Sequence, residues 1–217
     1  LFVGSRVVPG RYPEAPVSYL LLNDGKGQFK DHTAEVAPQL RTVGMVTAAQ
    51  ATDLNADGKT DLVVVGEWMP VMVWIQEKGR LTDQTDAYFD KPYRGFWNTL
   101  LIDDLNGDGK PDLVAGNYGL NSQLRASEAQ PLELFAADYD NNGTLDPILT
   151  YYVQGQRYPF VTRDELVQQM SGMGARYPTY ESYADQSLED LFAPSELAKA
   201  QQLRANELAS MVFMSTK

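Results

Sequence analysis

Residues 53–61 read DLNADGKTD, and the same chemistry returns as DLNGDGKPD at 104–112 and DYDNNGTLD at 138–146. With Asp53 as the first position, Asn55, Asp57, Lys59 and Asp61 follow at the third, fifth, seventh and ninth, and Gly58 holds the sixth. The second copy sets Asp104, Asn106, Asp108, Lys110 and Asp112 at those offsets around Gly109. The third sets Asp138, Asp140, Asn142, Thr144 and Asp146 around Gly143. Alternate residues of a tight loop can aim oxygens at one centre, and the glycine permits the sharp turn between them. The seventh position changes freely between Lys and Thr, as expected where only its backbone carbonyl is used. Hard oxygen donors without His or Cys favour Ca2+ over zinc or copper, so the spacing predicts up to three calcium sites.

An EF-hand loop ends in a bidentate Glu at its twelfth position, where this chain has Val64, Ala115 and Leu149. EF-hand loops also sit between helices, whereas these run into DLVVVGEW, DLVAGNYG and DPILTYYV, rich in β-branched and aromatic residues. The same two facts count against a dockerin. Clusters of Asp, Asn and Gly also make good turns without any ion. Against that simpler reading stands the threefold recurrence, which concentrates nine carboxylates of the chain's 29 in three short loops. Three bound Ca2+ would bring the formal charge from −11 to about −5.

The 217 residues suffice for one large domain or two small ones. The charge of −11 and an isoelectric point near 4.5 repel a phosphate backbone and argue against nucleic acid or anionic membrane as partner. No apolar run approaches the roughly 18–20 residues that cross a bilayer. The absence of cysteine excludes thiolate catalysis, zinc–thiolate sites and disulfides. LFVGS at the start has neither a basic region nor an apolar signal core.

Asp53 and Asp104 are 51 residues apart, the span of a four-stranded unit. VMVWIQEKGRLTDQT at 71–85 matches YLLLNDGKGQFKDHT at 19–33 at an offset of 52, pairing Asp31 with Asp83 and Thr33 with Thr85. Both stretches read as hairpins. One unit is therefore strand, acidic loop, strand and hairpin. Leu1 aligns with Leu62 and Leu113, each following the last aspartate of a loop, so the chain is expected to be a fragment of a longer protein. The third loop comes after only 34 residues, and beyond RYPFVTR the texture turns helical. Thr162 and Glu165 form a capping box ahead of one helix. A second helix is expected from Pro194 through ELAKAQQLRANELA. The expected organisation is residues 1–162 as β units, 163–210 as a helical insertion in the third unit and 211–217 as a returning strand.

With these strand–loop–strand repeats the chain resembles the FG-GAP/VCBS family, the calcium-loop β-propellers of integrin α-subunit heads and many secreted bacterial proteins. More loosely, VPGRYPEAPVSYLLLNDGKGQF and DLVVVGEWMP resemble the cartilage-acidic-protein-like, ASPIC/UnbV-associated subset. The resemblance implies a mainly β fold, here a partial propeller of about three blades with a helical insertion. It also implies bound Ca2+, an extracytoplasmic address and further blades in the parent protein. By position it assigns the ligands to Asp53, Asn55, Asp57, the Lys59 carbonyl and Asp61, and to their counterparts from Asp104 and from Asp138.

No nucleophile elbow, P-loop or dinucleotide fingerprint is present. His32 reads as a turn histidine. Trp68, Trp74 and Trp97 lie in or beside predicted strands, where blade core is the default reading and a binding platform the alternative. Arg-Tyr-Pro occurs at 11–13, 157–159 and 176–178, and packing in loops competes with the grip of an anionic sugar. The polar stretch GNYGLNS offers Asn117, Tyr118 and Asn121 as ligand-site candidates. A non-catalytic module binding a protein or glycan is the favoured function. The alternatives are a propeller-scaffold enzyme on polysaccharide or phosphoester, and a structural part of an envelope assembly docking through the helical insertion.

Overall fold

The computed structural model describes residues 1–216, and its chain is mainly β, with four antiparallel sheets and a few short helices. Its contacts divide into two compact units. Leu1–Val8, Glu14–Leu120 and the residues from Leu208 on form the first; Pro9–Pro13 and Asn121–Glu207 form the second.

In the first unit β1 (Phe2–Val3), β2 (Tyr19–Asn23) and β3 (Phe29–Asp31) make one sheet. The second sheet orders β4 (Met45–Thr52), β5 (Asp61–Pro70), β6 (Met72–Glu77) and β7 (Arg80–Asp83) side by side, with β8 (Arg94–Phe96) on the far end of β5. β9 (Thr99–Asp103) and β10 (Asp112–Gly116) begin a third. The chain then builds the second unit, where β11 (Leu132–Ala137), β12 (Asp146–Val153), β13 (Gln156–Pro159) and β14 (Gln201–Ala205) lie in the order β13-β12-β11-β14. It returns as β15 (Met211–Phe213) beside β10.

The register of β15 identifies what it is. Leu62 faces Trp74 and Val64 faces Met72 in the second sheet; Leu113 faces Phe213 and Ala115 faces Met211 in the third. MVFMS at 211–215 is thus the counterpart of MVWIQ at 72–76, the third strand of a repeat whose first two strands ended at Gly116. The backbone N–H of Gly119 donates to the carbonyl of Leu208 at 2.7 Å, closing the gap across which the second unit is inserted. The third acidic loop lies inside that insertion, which begins well before residue 163.

The two hairpins repeat atom by atom. Thr33 donates its N–H and hydroxyl to Asp31, and Thr85 does the same to Asp83, at 2.9 and 2.5 Å in both cases. Each threonine hydroxyl then accepts a strand N–H, from Leu20 at 2.7 Å and from Val73 at 3.1 Å. These threonines open the one-turn helices α1 (Thr33–Val36) and α2 (Thr85–Tyr88). The offset of 52 holds after the turn; before it, Leu20 matches Val73, one residue further on. Phe2 pairs Leu20 as Val63 pairs Val73, which keeps Leu1 in the place of Leu62.

Because strand side chains alternate, a sheet covered on both sides needs apolar residues at every position. β5 shows this, with Leu62 to Val65 all buried. Leu62, Val64 and Trp74 pack on Phe2 and Leu20 of the first sheet, and Val63, Val73 and Ile75 pack on Leu113, Ala115 and Phe213 of the third. Gln50 adds a polar bridge, its amide donating to the Ile102 carbonyl at 3.2 Å and accepting from the Ile102 N–H at 3.0 Å. Trp68, Trp74 and Trp97 are 4%, 1% and 0% exposed, which makes all three core residues and none a surface platform.

In the second unit the expected capping box closes α3 (Arg163–Gln169): Thr162 accepts from the Glu165 N–H, and the Glu165 carboxylate accepts from the Thr162 N–H. The single turns α4 (Met173–Arg176), α5 (Tyr180–Tyr183), α6 (Leu188–Leu191) and α7 (Pro194–Leu197) follow. Leu166, Met170, Leu188, Leu191 and Phe192 bury against Phe135 and Ile148 of the sheet. The long helix expected from Pro194 onward stops at Leu197. Gln201–Ala205 is strand β14, with Leu203 opposite Leu134 of β11, because pairing an open sheet edge outweighs the helix propensity of this stretch.

Phe213 meets Phe89 and Tyr93 edge-on, with ring centroids 4.9 and 5.1 Å apart. Although Phe213 stands near the end of the chain, Phe213→Ala is expected to destabilise the first unit by roughly 3 kcal/mol in urea unfolding.

Candidate metal centres

The three acidic loops share one wiring scheme. Position-one carboxylates accept the backbone N–H groups of positions five and six: Asp53 from Asp57 and Gly58, Asp104 from Asp108 and Gly109, Asp138 from Asn142 and Gly143, all between 2.8 and 3.1 Å, and Asp104 also accepts that of Gly107 at 2.7 Å. The third-position oxygens of Asn55, Asn106 and Asp140 accept the same fifth-position N–H. The fifth-position oxygens of Asp57, Asp108 and Asn142 accept the N–H of Lys59, Lys110 and Thr144. To make these bonds the backbone turns left-handed twice. Gly58, Gly109 and Gly143 have φ of +81°, +84° and +87°, and position four follows with Ala56 at +58°, Gly107 at +77° and Asn141 at +60°. A side chain is strained there, which is why glycine holds the sixth position throughout.

The ninth-position aspartates do something else. Asp61, Asp112 and Asp146 are buried at 0%, 0% and 2% exposure. One oxygen of each accepts the N–H of the loop's second residue, Leu54, Leu105 or Tyr139, at 3.0–3.1 Å. In the first unit the other oxygen reaches the third strand of the repeat: Asp61 accepts from Gln76 at 2.8 Å and Asp112 from Ser215 at 2.7 Å. Each of these carboxylates therefore pins a loop and a neighbouring strand to the same point. Gln76 and Ser215 escape sequence reasoning, since the only signal for them is the likeness of MVWIQ and MVFMS.

Asp146 is different. No third-strand N–H bonds it among the described residues, and one oxygen from each of Asp138, Asp140 and Asp146 lies within 4.8 Å of the others. Burial pushes the Asp146 carboxyl above its usual range, and the charges of Asp140 and Asp138 push it further. Beside it, Tyr139 stacks on Phe192 at 4.0 Å, and burial raises its phenol to about 12. Oxygens bound to Ca2+ at 2.3–2.6 Å lie no more than about 5 Å apart across the ion, so this donor set fits a hard divalent cation.

The first two loops do not gather three carboxylates in this way among the described residues. In the first, the Lys59 ammonium lies 2.8 Å from the Asp57 carboxylate and holds it below the usual carboxylate range. In the second, the Asn106 amide donates to Asp108 at 3.2 Å, and backbone N–H groups led by that of Gly109 hold Asp104 low. Each oxygen still has a lone pair beyond its N–H bond, so both loops keep donors for a cation.

The Asn117 side-chain oxygen accepts from the N–H groups of Phe96 and Tyr118 at 3.0 and 2.8 Å, so it shapes its own loop. Tyr118 is exposed and tilted against Phe96. Asn121 belongs to the second unit, apart from the other two. His32 bonds Glu35 at 2.6 Å in a turn. Arg157 is tied to Glu133 and Glu189 and lies over the Phe135 ring, and Arg176 donates to the carbonyls of Asp190 and Leu191. Two of the three Arg-Tyr-Pro arginines thus serve the fold of the second unit.

Residues 53–115, from the first acidic loop through the strand after the second, match the FG-GAP-like repeat. Among curated proteins the chain finds no match.

Asp61→Ala leaves the N–H groups of Leu54 and Gln76 without an acceptor and is expected to cost about 3 kcal/mol in urea unfolding without added metal. Gly58→Ala, which forces a side chain into the left-handed region, is expected to cost about 1 kcal/mol in the same assay.

Proposed function

We propose that this chain is part of a calcium-stabilised, non-catalytic β-propeller of FG-GAP type, serving ligand binding or adhesion outside the cytoplasm. The single observation that carries the metal reading is the gathering of Asp138, Asp140 and Asp146 on a loop whose backbone plan recurs at Asp53 and Asp104. The ligands follow that plan: Asp53, Asn55, Asp57, the Lys59 carbonyl and Asp61; Asp104, Asn106, Asp108, the Lys110 carbonyl and Asp112; Asp138, Asp140, Asn142, the Thr144 carbonyl and Asp146. The ion's contribution is to neutralise clustered carboxylates and stiffen the turn between two strands. Sites of this exposed, loop-borne kind fill at the millimolar calcium found outside cells, which supports a secreted, periplasmic or surface address.

The propeller reading draws support from the third sheet. In the second sheet the row Gln50–Val63–Val73 is covered by the sheet that follows it. The matching row of the third sheet is Leu101–Val114–Val212, where Leu101 is 50% and Val212 53% exposed, with Met214 beyond them at 46%. A further sheet of the same kind fits this face, as expected if other blades of the parent protein continue the stack. The cartilage-acidic-protein-like subset remains a finer proposal, carried only by VPGRYPEAPVSYLLLNDGKGQF and DLVVVGEWMP. The non-catalytic reading is supported by the engagement of Arg157 and Arg176 in internal bonds.

Calcium at 100 times its dissociation constant adds about 2.7 kcal/mol per site when only the folded form binds. Chelation is therefore expected to lower Tm by roughly 5–10 °C, with recovery on added Ca2+ but not on added Na+. An identical melt in EGTA and in millimolar Ca2+ would refute the metal reading. Calorimetric titration should lose one site in Asp140→Asn. In Lys59→Thr, which removes the ammonium competing at Asp57, the first loop should bind more tightly.

A further inference from the structure

Asparagine precedes glycine at Asn106–Gly107 and at Asn142–Gly143, and both pairs lie in acidic loops. In such a pair the glycine's backbone nitrogen can close a five-membered ring on the asparagine's amide carbon, because no side chain shields the approach. The step needs an acceptor for the proton of the attacking N–H, donors for the oxyanion that develops on Oδ1, and a leaving amide that nothing holds back. At Asn142 all three needs are met. The Gly143 N–H donates to the Asp138 carboxylate at 2.9 Å. Oδ1 of Asn142 accepts from the Thr144 N–H at 2.8 Å and from the Thr144 hydroxyl. Its amide nitrogen makes no hydrogen bond among the described residues, and the residue is exposed to water. At Asn106 the Gly107 N–H also reaches a carboxylate, that of Asp104 at 2.7 Å. There, however, Oδ1 accepts only the Asp108 N–H among the described residues, and the amide nitrogen is held by the Asp108 carboxylate at 3.2 Å.

We infer that Asn142 is a self-modification site, at which the third loop acquires a carboxylate in its fifth position. The Gly143 nitrogen bonds to Cγ of Asn142 as its proton passes to Asp138. The Cγ–Nδ2 bond breaks, and ammonia leaves with that proton. Water then opens the cyclic imide. Opening at Cγ leaves an aspartyl residue, the type that Asp57 and Asp108 supply at this position. Opening at the main-chain carbonyl routes the backbone through the side chain and lengthens the loop by a methylene. The balance is amide and water giving carboxylic acid and ammonia, with no oxidant or reductant. The aspartyl product stands beside Asp138, Asp140 and Asp146 and adds to their charge. The modification rests on the loop's own hydrogen bonds; its effect on cation affinity deepens the metal reading above and rests on it.

The test incubates the folded chain in neutral buffer with EGTA at physiological temperature. Mass spectrometry follows the peptide spanning the third loop, with the peptide spanning the second as internal control. The Asn142 peptide is expected to gain the mass of amide-to-carboxylate exchange at least about fivefold faster than the Asn106 peptide. Asp138→Asn should slow it at least about tenfold and Thr144→Val about fivefold. Thr144→Val keeps every backbone donor of the loop, so it tests the step even where Asp138→Asn disturbs the turn. In urea, where these hydrogen bonds are lost, both variants should modify at the rate of the unsubstituted chain. An unmodified Asn142, equal rates in the two loops, or variants that slow the reaction no more in the folded chain than in urea would overturn the proposal. Calorimetric titration of Asn142→Asp with Ca2+ should show the third loop binding at least about fivefold more tightly than in the unsubstituted chain, and an unaltered affinity overturns the gain assigned to it. If neither chain binds Ca2+ while the peptide mass shifts as expected, the metal reading falls and the modification stands.

Discussion

The first unit depends on a buried carboxylate that accepts hydrogen bonds in two directions. Asp61 and Asp112 have lost all contact with solvent, and an isolated carboxylate so placed is costly. Backbone N–H groups from their own loop and from the third strand of the repeat donate to them and offset that cost. One residue thereby fixes the loop's conformation, the end of the second strand and the approach of the third. The register that follows sets Val63 and Val73, or Leu62 and Trp74, on opposite faces, and those faces build the core.

The same peg explains how the repeat tolerates an insertion between its second and third strands. After Gly116 the chain builds an entire sheet and five short helices, yet β15 returns to the register that β6 has on β5. Ser215 finds Asp112 across 103 residues of sequence, as Gln76 finds Asp61 across 15. Closing a longer loop adds little entropy per added residue, and a unit with its own core offsets its own ordering. The Gly119–Leu208 hydrogen bond holds the two ends together.

Within the insertion, the third loop keeps the plan without the peg. Among the described residues Asp146 lacks the strand N–H that its counterparts have, and its carboxylate stands with those of Asp138 and Asp140. The three loops are alike in sequence and differ in how their charge is balanced. Asp57 has the Lys59 ammonium beside it, whereas Asp138, Asp140 and Asp146 stand together as a cluster of carboxylates.

The sequence by itself determined whatever is local. The loop offsets, the glycine at position six, the hairpin pairing of Asp31 and Thr33 with Asp83 and Thr85 and the Thr162 capping box depend on contacts within a few residues, so residue type and spacing reveal them. Burial of Trp68, Trp74 and Trp97 was legible as the default reading of tryptophans in strands, although strand position alone leaves a side chain's face open. Only the tertiary structure decided that 211–215 is the third strand of a repeat interrupted at Gly116, and that Gln201–Ala205 is strand. It alone also showed that Asp61 and Asp112 are pegs while Asp146 joins a carboxylate cluster. Each of these turns on which distant backbone N–H or open sheet edge lies opposite, and such pairing energies outweigh local propensity without leaving a pattern in the neighbouring residues.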